Sequence, residues 1–431
     1  MRSIIHIPIV LFLLTSLNGQ NDLSKESKSV QGAFGAVTID GKIWNQIALR
    51  PILPFGKLAI AFDFVLYIDQ DGNIHDDDWD FSSGEKIKNT LLDKIYYVRY
   101  GNRKDPYYFR AGALDYVYIG YGILANGYSN SILYPQVRKV GLEAKARAFD
   151  LNFFGFTNDF KENFGLTGIR VSGRVPGGLT MGISYVSDRN QYLGLKDRDG
   201  DGRPDLVDDF PDNKIYWLDT DGDGWADNDT INEFDVDGDG WTDPAFTYPI
   251  YGIVIDNDGV PTKPEPINIK KQNESIQSFA IDFGRNIFSQ GNLTIHAYSQ
   301  IAALIGKTTN PKTLKRDPLG IGLTPLGISA LFGPAKFSWE YRMMPNGKFE
   351  FGYFNRSYEI ERATFSSLAS STLQGNTGTI VTKANKLGRY GKQNGYFSRL
   401  TIDLGSFLQG GFSYQNLQGE QWHNQIQEFE E

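Results

Sequence analysis

Three short segments place aspartates where they could surround a cation. DRDGDGRPDLVD covers residues 197–208, DTDGDGWADNDT covers 219–230 and DVDGDGWTDPAF covers 235–246. Each has Asp at its first, third, fifth and ninth positions and Gly at its sixth. The aspartates are Asp197, Asp199, Asp201 and Asp205, then Asp219, Asp221, Asp223 and Asp227, then Asp235, Asp237, Asp239 and Asp243. Calcium takes about six to eight oxygen ligands, and this spacing folds three carboxylates around one ion while the glycine permits a sharp turn. Position 7 of such a loop supplies a backbone carbonyl and position 12 a carboxylate. Position 7 is Arg203, Trp225 or Trp241; position 12 is Asp208, Thr230 or Phe246. The first repeat is therefore the most complete. The others need a water, Asp229 or a carboxylate from a neighbouring repeat.

Charge points the same way. Residues 196–258 hold nineteen Asp and Glu against four Lys and Arg, a net of −15 in a chain of net −8, so the remainder sums to +7. So concentrated a charge repels itself unless cations neutralise it. A fainter echo, DQDGNIHDD, sets Asp69, Asp71, Asn73 and Asp77 at positions 1, 3, 5 and 9 but has no glycine at 6. The three full segments resemble thrombospondin type 3 repeats of bacterial surface proteins. The first, with its tail DDFPDN, fits best, although Phe210 stands where a cysteine is often found. The resemblance covers roughly a tenth of the chain; it implies bound calcium and no activity.

Other chemistry finds little support. The chain has no Cys, which removes disulfides and a lipidated N-terminal cysteine. Beyond the leader only His75, His296 and His423 remain, with no nucleophile elbow and no paired metal ligands near them. No glycine-rich phosphate cradle appears, and an acidic chain without a basic stripe is not a nucleic-acid binder. An enzyme is not expected.

The elements that must carry the acidic repeats read as strands. Leu58, Ile60, Phe62, Phe64, Leu66 and Ile68 alternate with Ala59, Ala61, Asp63, Val65 and Tyr67. The same period of two recurs at 138–148, 179–185, 278–283, 336–343 and 399–404. One parity is bulky, as in Phe279, Ile281 and Phe283; the other is small or charged, as in Ser278, Ala280 and Asp282. Aromatics make up 14% of the chain, and after the leader no apolar run approaches the roughly 20 residues a transmembrane helix needs. Strands can cross a bilayer only as a closed barrel, with lipid-facing apolar residues alternating with lumen-facing polar ones. Tight linkers, including 50–56, 101–106, 148–150, 175–178, 284–291 and 333–334, alternate with long connections at 69–93, 115–137, 158–164, 187–274 and 302–320. Short turns at one end and long loops at the other are the habit of outer-membrane barrels. The fold class expected is all-β: an antiparallel transmembrane β-barrel of about 14–18 strands with an Asp/Gly-rich calcium-binding loop insertion.

Residues 1–20 have Arg2 before an apolar run and Gly19 at a cleavage point, which reads as a signal peptide. Residues 31–187 and 276–417 carry the barrel strands, 188–275 the acidic insertion and 418–431 a polar tail. The alternation breaks after Met343, where the short MPNG turn at 344–347 is followed by a long loop, Ile360 to Gly395, and a strand near Thr377 to Ala384 would repair the phase. That break and the tail suggest that strands are missing beyond residue 431. The inward parity carries Lys139, Lys145, Arg147, Arg170, Arg174, Lys336, Arg342, Arg356 and Arg399 against Asp63, Glu143, Asp282, Glu340, Glu350 and Asp403. Such a lumen either passes small polar solutes with weak anion preference or is filled by its own ion pairs. The expected function is a porin-like outer-membrane channel with a calcium-stabilised surface loop. A surface adhesion protein anchored by the barrel is the alternative. Partners are outer-membrane lipid, calcium and a small polar solute.

Overall fold

The computed structural model describes residues 29–39, 42–74, 83, 94–134, 137–219, 226, 254–255, 261–262, 266–309, 315–366, 379–404 and 409–421. Sixteen strands form one antiparallel sheet. They are β1 (Ser29–Ile39), β2 (Lys42–Phe55), β3 (Leu58–Phe62), β4 (Phe64–Ile68), β5 (Ile95–Tyr100), β6 (Tyr107–Gly112), β7 (Gly141–Ala148) and β8 (Leu151–Thr157). The second half holds β9 (Leu166–Val175), β10 (Leu179–Asp188), β11 (Ile276–Gln290), β12 (Leu293–Ile305), β13 (Ile321–Phe332), β14 (Ala335–Met344), β15 (Tyr390–Asp403) and β16 (Gln409–Gln421). Neighbours in the sheet follow chain order, except that β3 and β4 share one side of β2 and β3 passes directly to β5. β3 and β4 are one span interrupted at Asp63, whose N–H donates to the Lys94 carbonyl at 2.7 Å. Among the described residues β1 and β16 are the ends of the sheet, and no pairing joins them.

The alternation read from the sequence sets the faces. Phe279, Phe337 and Leu400 belong to the outer parity and are 45%, 47% and 40% exposed, whereas Ser278, Asp282 and Glu340 on the other parity are buried. This is an all-β antiparallel barrel wall turned inside out relative to a soluble core: apolar outside, polar and small within. Exposed aromatics also flank the short turns: Phe55, Tyr100, Tyr107, Phe149 and Phe332. At the β7–β8 turn, Phe149 and Asp150 hold φ of 53° and 60°, the paired positive values of a type I′ hairpin. Phe149 occupies that costly conformation while almost fully exposed.

Several expected boundaries need correction. Residues 50–56 are not a linker: β2 runs through Pro51 and Pro54 to Phe55. β11 likewise continues to Gln290, past the start of the linker expected at 284. The strand expected near Thr377 to Ala384 does not join the wall. Thr379–Thr382 pairs with Ala363–Ser366 in a separate two-stranded sheet, because the described residues between Met344 and Tyr390 leave the wall and fold inward. The final strand extends to Gln421, into the expected polar tail. The expected leader, Asp40–Gly41 and residues 422–431 lie outside the described residues.

Candidate functional site

Two connections fill the interior. Residues 113–134 form a hairpin in which Val117–Tyr118 pairs with Ala125–Tyr128, and Phe354–Asn355 of the second connection adds a parallel strand to it. Gly352 N–H donates to the Ile123 carbonyl at 2.8 Å and Phe354 N–H to the Leu124 carbonyl at 3.0 Å. Together they make a plug. Its apolar side, with Leu114, Val117, Leu124, Tyr353, Phe354 and Tyr358, packs on inward wall residues Phe156, Leu166, Val186, Ile276 and Leu304. Fully burying such a side chain is worth about 1.5–3 kcal/mol, so this contact is the plug's main adhesive.

A buried ionic network fixes its orientation. Arg362 is wholly buried and donates from Nε and Nη2 to the Asp188 carboxylate at 2.6 and 3.0 Å, and from Nη1 to Glu162 at 2.7 Å. Tyr358 OH donates to Asp188 at 2.7 Å. Lys139 bridges Glu162 and Glu359, the latter at 2.6 Å, and Tyr128 OH donates to Glu359. Burial alone would raise the Glu162 carboxyl, but Arg362 and Lys139 hold it below its usual value. Breaking such a set by removing one partner strands the others without compensation.

Beside the plug lies a cavity of about 320 Å³, lined by Tyr108, Tyr116, Tyr118, Tyr121, Arg103, Glu143, Lys145 and Arg170 among others. Arg103 donates to Glu143 at 2.8 Å and to the Asp115 carbonyl at 3.0 Å. Lys145 donates to the Arg103 carbonyl at 2.7 Å. Arg170 grips Asp282 with both guanidinium ends, Nη2 to Oδ1 at 2.8 Å. Glycines make that grip possible: a Cβ on Gly182 would collide with Arg170 Nη2, and one on Gly120 of the plug would stand 2.9 Å from both Arg170 and Asp282. Tyr121 stacks on Tyr298 at 4.1 Å between centroids. His296 meets Tyr121 OH and Asn286 Oδ1, each at 2.8 Å, so both ring nitrogens are satisfied.

The inward charges therefore pair largely with one another, as Arg170 with Asp282, Arg342 with Glu340 and Arg50 with Asp63. Arg356 and Glu350 do not belong to the wall: both lie in the 345–389 connection, where Glu350 pairs with Lys383 at 3.0 Å. Lys139 precedes β7 and serves the plug. Arg362, Glu359 and Glu162 lie in connections without a periodic signal, and Asp188 ends β10 on the inward parity of Ser184 and Val186; sequence reading did not find the network they form.

The first acidic repeat is described in full. Carboxylate oxygens of Asp197, Asp199 and Asp201 lie within 4.8 Å of one another. The loop is shaped by its own amides: Gly200 and Gly202 N–H donate to Asp197 at 2.8 and 3.0 Å, Asp201 N–H to Asp199 at 3.0 Å and Arg203 N–H to Asp201 at 2.6 Å. Asp208, the position-12 residue, is 7% exposed. Its carboxyl is pushed up to about 6 by burial and by the charges of Asp201 and Asp199. Asp208 Oδ2 and Asp199 Oδ2 are buried and without a hydrogen-bond partner. Such orphaned oxygens fit a hard divalent cation, which would supply what no donor here does.

Two members behave differently. Asp205 does not join the cluster; Arg198 holds it through its N–H at 2.9 Å and Nε at 3.0 Å. Arg203 brings its side chain to Asp201 Oδ2 at 3.2 Å and lays its guanidinium on Trp217 at 3.7 Å. Asp219 is described, and its N–H donates to Asp209 at 3.0 Å. Asp221, Asp223, Trp225, Asp227, Asp235, Asp237, Asp239, Trp241 and Asp243 lie outside the described residues. In the echo, Asp69 is already saturated by Lys42 at 2.6 Å, Asn73 Nδ2 at 2.9 Å and the Asp71 and Asn73 amides. Those donors hold its carboxyl far below the usual range.

The chain matches no family model and no curated protein sequence. Among solved structures, the in-vitro folded outer membrane protein OmpT of Vibrio cholerae aligns with a TM-score of 0.29 at 10% identity, over 90% of this chain and 89% of that one. OccK10 (OpdN) of Pseudomonas aeruginosa aligns with a TM-score of 0.30 at 10% identity, over 88% and 75%. OpdL of the same organism gives 0.32 at 7% identity, over 84% and 70%. At these values the barrel rests on the pairing register of its own strands.

Proposed function

We propose that this chain is a porin-like outer-membrane channel for small polar solutes whose lumen is narrowed by an interior plug and whose acidic surface loop binds calcium. The observation that carries the reading is the polar cavity beside the plug, inside a wall whose outer parity is apolar. Its lining adds Arg103, Lys145 and Arg170 to a single Glu143, which favours weak anion preference once Asp282 has offset Arg170. The outward aromatics beside the short turns suit the bilayer interfaces. With the N-terminus on the periplasmic side, the long connections face outward. The calcium part rests on the first repeat, where Asp197, Asp199, Asp201 and Asp208 would hold the ion.

The apolar plug contact favours a second reading, a sealed barrel that anchors an adhesive surface loop. Single-channel recording of refolded protein in planar bilayers separates the two. Discrete conductance steps that lose anion preference in Lys145→Glu support the channel. A silent bilayer from protein with heat-modifiable gel migration transfers support to the anchor. Single cysteines at Leu206 and Gly177 test the orientation: an impermeant maleimide should label the first in intact cells and spare the second.

A further inference from the structure

We propose that calcium at the first acidic repeat clamps the interior plug, so that the surface loop and the lumen form one coupled unit. This deepens the reading above and rests on its calcium assignment. The connection leaves the wall at Asp188, the residue that Arg362 and Tyr358 of the plug hold. Next comes a 3₁₀ turn, Gln191–Gly194, capped by Asn190, whose side chain accepts from Tyr192 N–H at 3.1 Å. Gln191 is wholly buried, and its Oε1 accepts from Tyr353 OH at 2.9 Å and from Ala384 N–H at 3.2 Å, both in the plug. The Asn190 carbonyl accepts from Arg362 at 3.3 Å, and a Cβ on Gly194 would stand 3.3 Å from Arg362 Cδ. Only Leu195 and Lys196 then separate this turn from Asp197, the first calcium ligand.

The return path is tied as well. Ile269 N–H donates to the Gly202 carbonyl at 2.7 Å and Lys270 to the Gly200 carbonyl, both inside the calcium loop. The Glu274 carbonyl accepts from Gln191 N–H at 2.9 Å. Both ends of the 189–275 connection thus converge on Gln191, its return segment touching the calcium loop on the way, and Gln191 sits on the plug. Without an ion, the close carboxylates of Asp197, Asp199 and Asp201 repel one another, Asp208 adds its charge to those of Asp199 and Asp201, and together they load this two-ended frame. With calcium they draw together, the 3₁₀ turn is fixed, and the plug gains a rigid seat. Coupling between sites is reciprocal and typically amounts to about 5–150-fold.

Hydrogen exchange on the full chain, refolded in detergent, reads this without requiring conduction. Plug amides that bond internally, such as Arg362 N–H to the Tyr358 carbonyl and Lys383 N–H to the Arg362 carbonyl, supply the probes. Millimolar calcium should slow exchange in residues 349–366 and 379–389 on the order of tenfold relative to chelator. Wall peptides from β12 and β13 should not change. Asp199→Asn with Asp208→Asn should remove the first repeat's share of the calorimetric calcium heat and abolish the slowing. Gln191→Ala should keep the heat and lose most of the slowing, with wall exchange as the check that each variant is folded. Calcium heat with unchanged plug exchange overturns the clamp and leaves the calcium site standing. Absence of calcium heat in the unmodified chain overturns both. Slowing that persists in the double variant places the ion elsewhere and also defeats the proposal.

Discussion

The wall and the plug use the same residue types under opposite rules. In the wall, Asp282 and Glu340 point inward because their strand neighbours Ile281 and Tyr341 point outward; geometry with a period of two assigns every side chain. Where the plug meets the wall, Asp188 at the end of β10, Glu162 and Glu359 are held by Arg362 and Lys139, and no local period relates the three to one another. A wall strand loses stability in proportion to what one face exposes to the wrong medium. The plug loses it through unpaired charge. This barrel is therefore robust in its shell and vulnerable at its centre.

The sharpest way to separate the two regions is Arg362→Met. It leaves three buried carboxylates with Lys139 alone, a loss of about 3–5 kcal/mol for a broken buried pair. The plug should become protease-sensitive while gel migration still reports a folded wall. Unchanged protease resistance would show that apolar packing alone seats the plug. Next in size is Ile281→Arg on the outer face, expected to cost about 2–4 kcal/mol at the depth of the bilayer midplane. Urea unfolding in vesicles measures it, and a cost near zero would mean that this parity does not face lipid.

A smaller effect lies in the acidic loop. Asp208, at about 6, takes up a proton as pH falls through that value, and calcium must then displace it. Calorimetry should find calcium bound about tenfold more weakly at pH 5 than at pH 7, since one competing proton has that leverage. A pH-independent affinity would remove Asp208 from the ligand set. Lys42→Ala should do least. Lys42 is half-exposed and Asp69 keeps its amide donors, so the loss should be smaller than any of those above. A shift in unfolding midpoint as large as that of Ile281→Arg would mean that the Asp69 turn governs the β2–β4 pairing.

What could be read from the sequence follows the same division. Phe279, Ile281 and Phe283 announce a face by alternation, and the spacing of Asp197, Asp199 and Asp201 announces that their carboxylates cluster. Both signals are local, encoded within a dozen residues. Arg362 could not be read, because its partner Asp188 lies 174 residues away and nothing in either segment names the other. Asp205 shows the limit of spacing: position 9 is present, but Arg198 claims its carboxylate. Pro51 and Pro54 misled in the other direction, since they resemble a linker yet sit in β2.

The separations that hid the plug also set the order in which the molecule can assemble. Wall contacts join strands adjacent along the chain, and most close a short turn, whereas the ties of the plug span 162 residues from Gln191 to Tyr353, 174 from Asp188 to Arg362 and 231 from Tyr128 to Glu359. Closing loops of that length before a scaffold exists is entropically unfavourable, and contacts of large sequence separation form slowly. Once β7 to β15 stand in register, the wall itself brings these partners within reach. The centre of this barrel is therefore the last part of it to arrive.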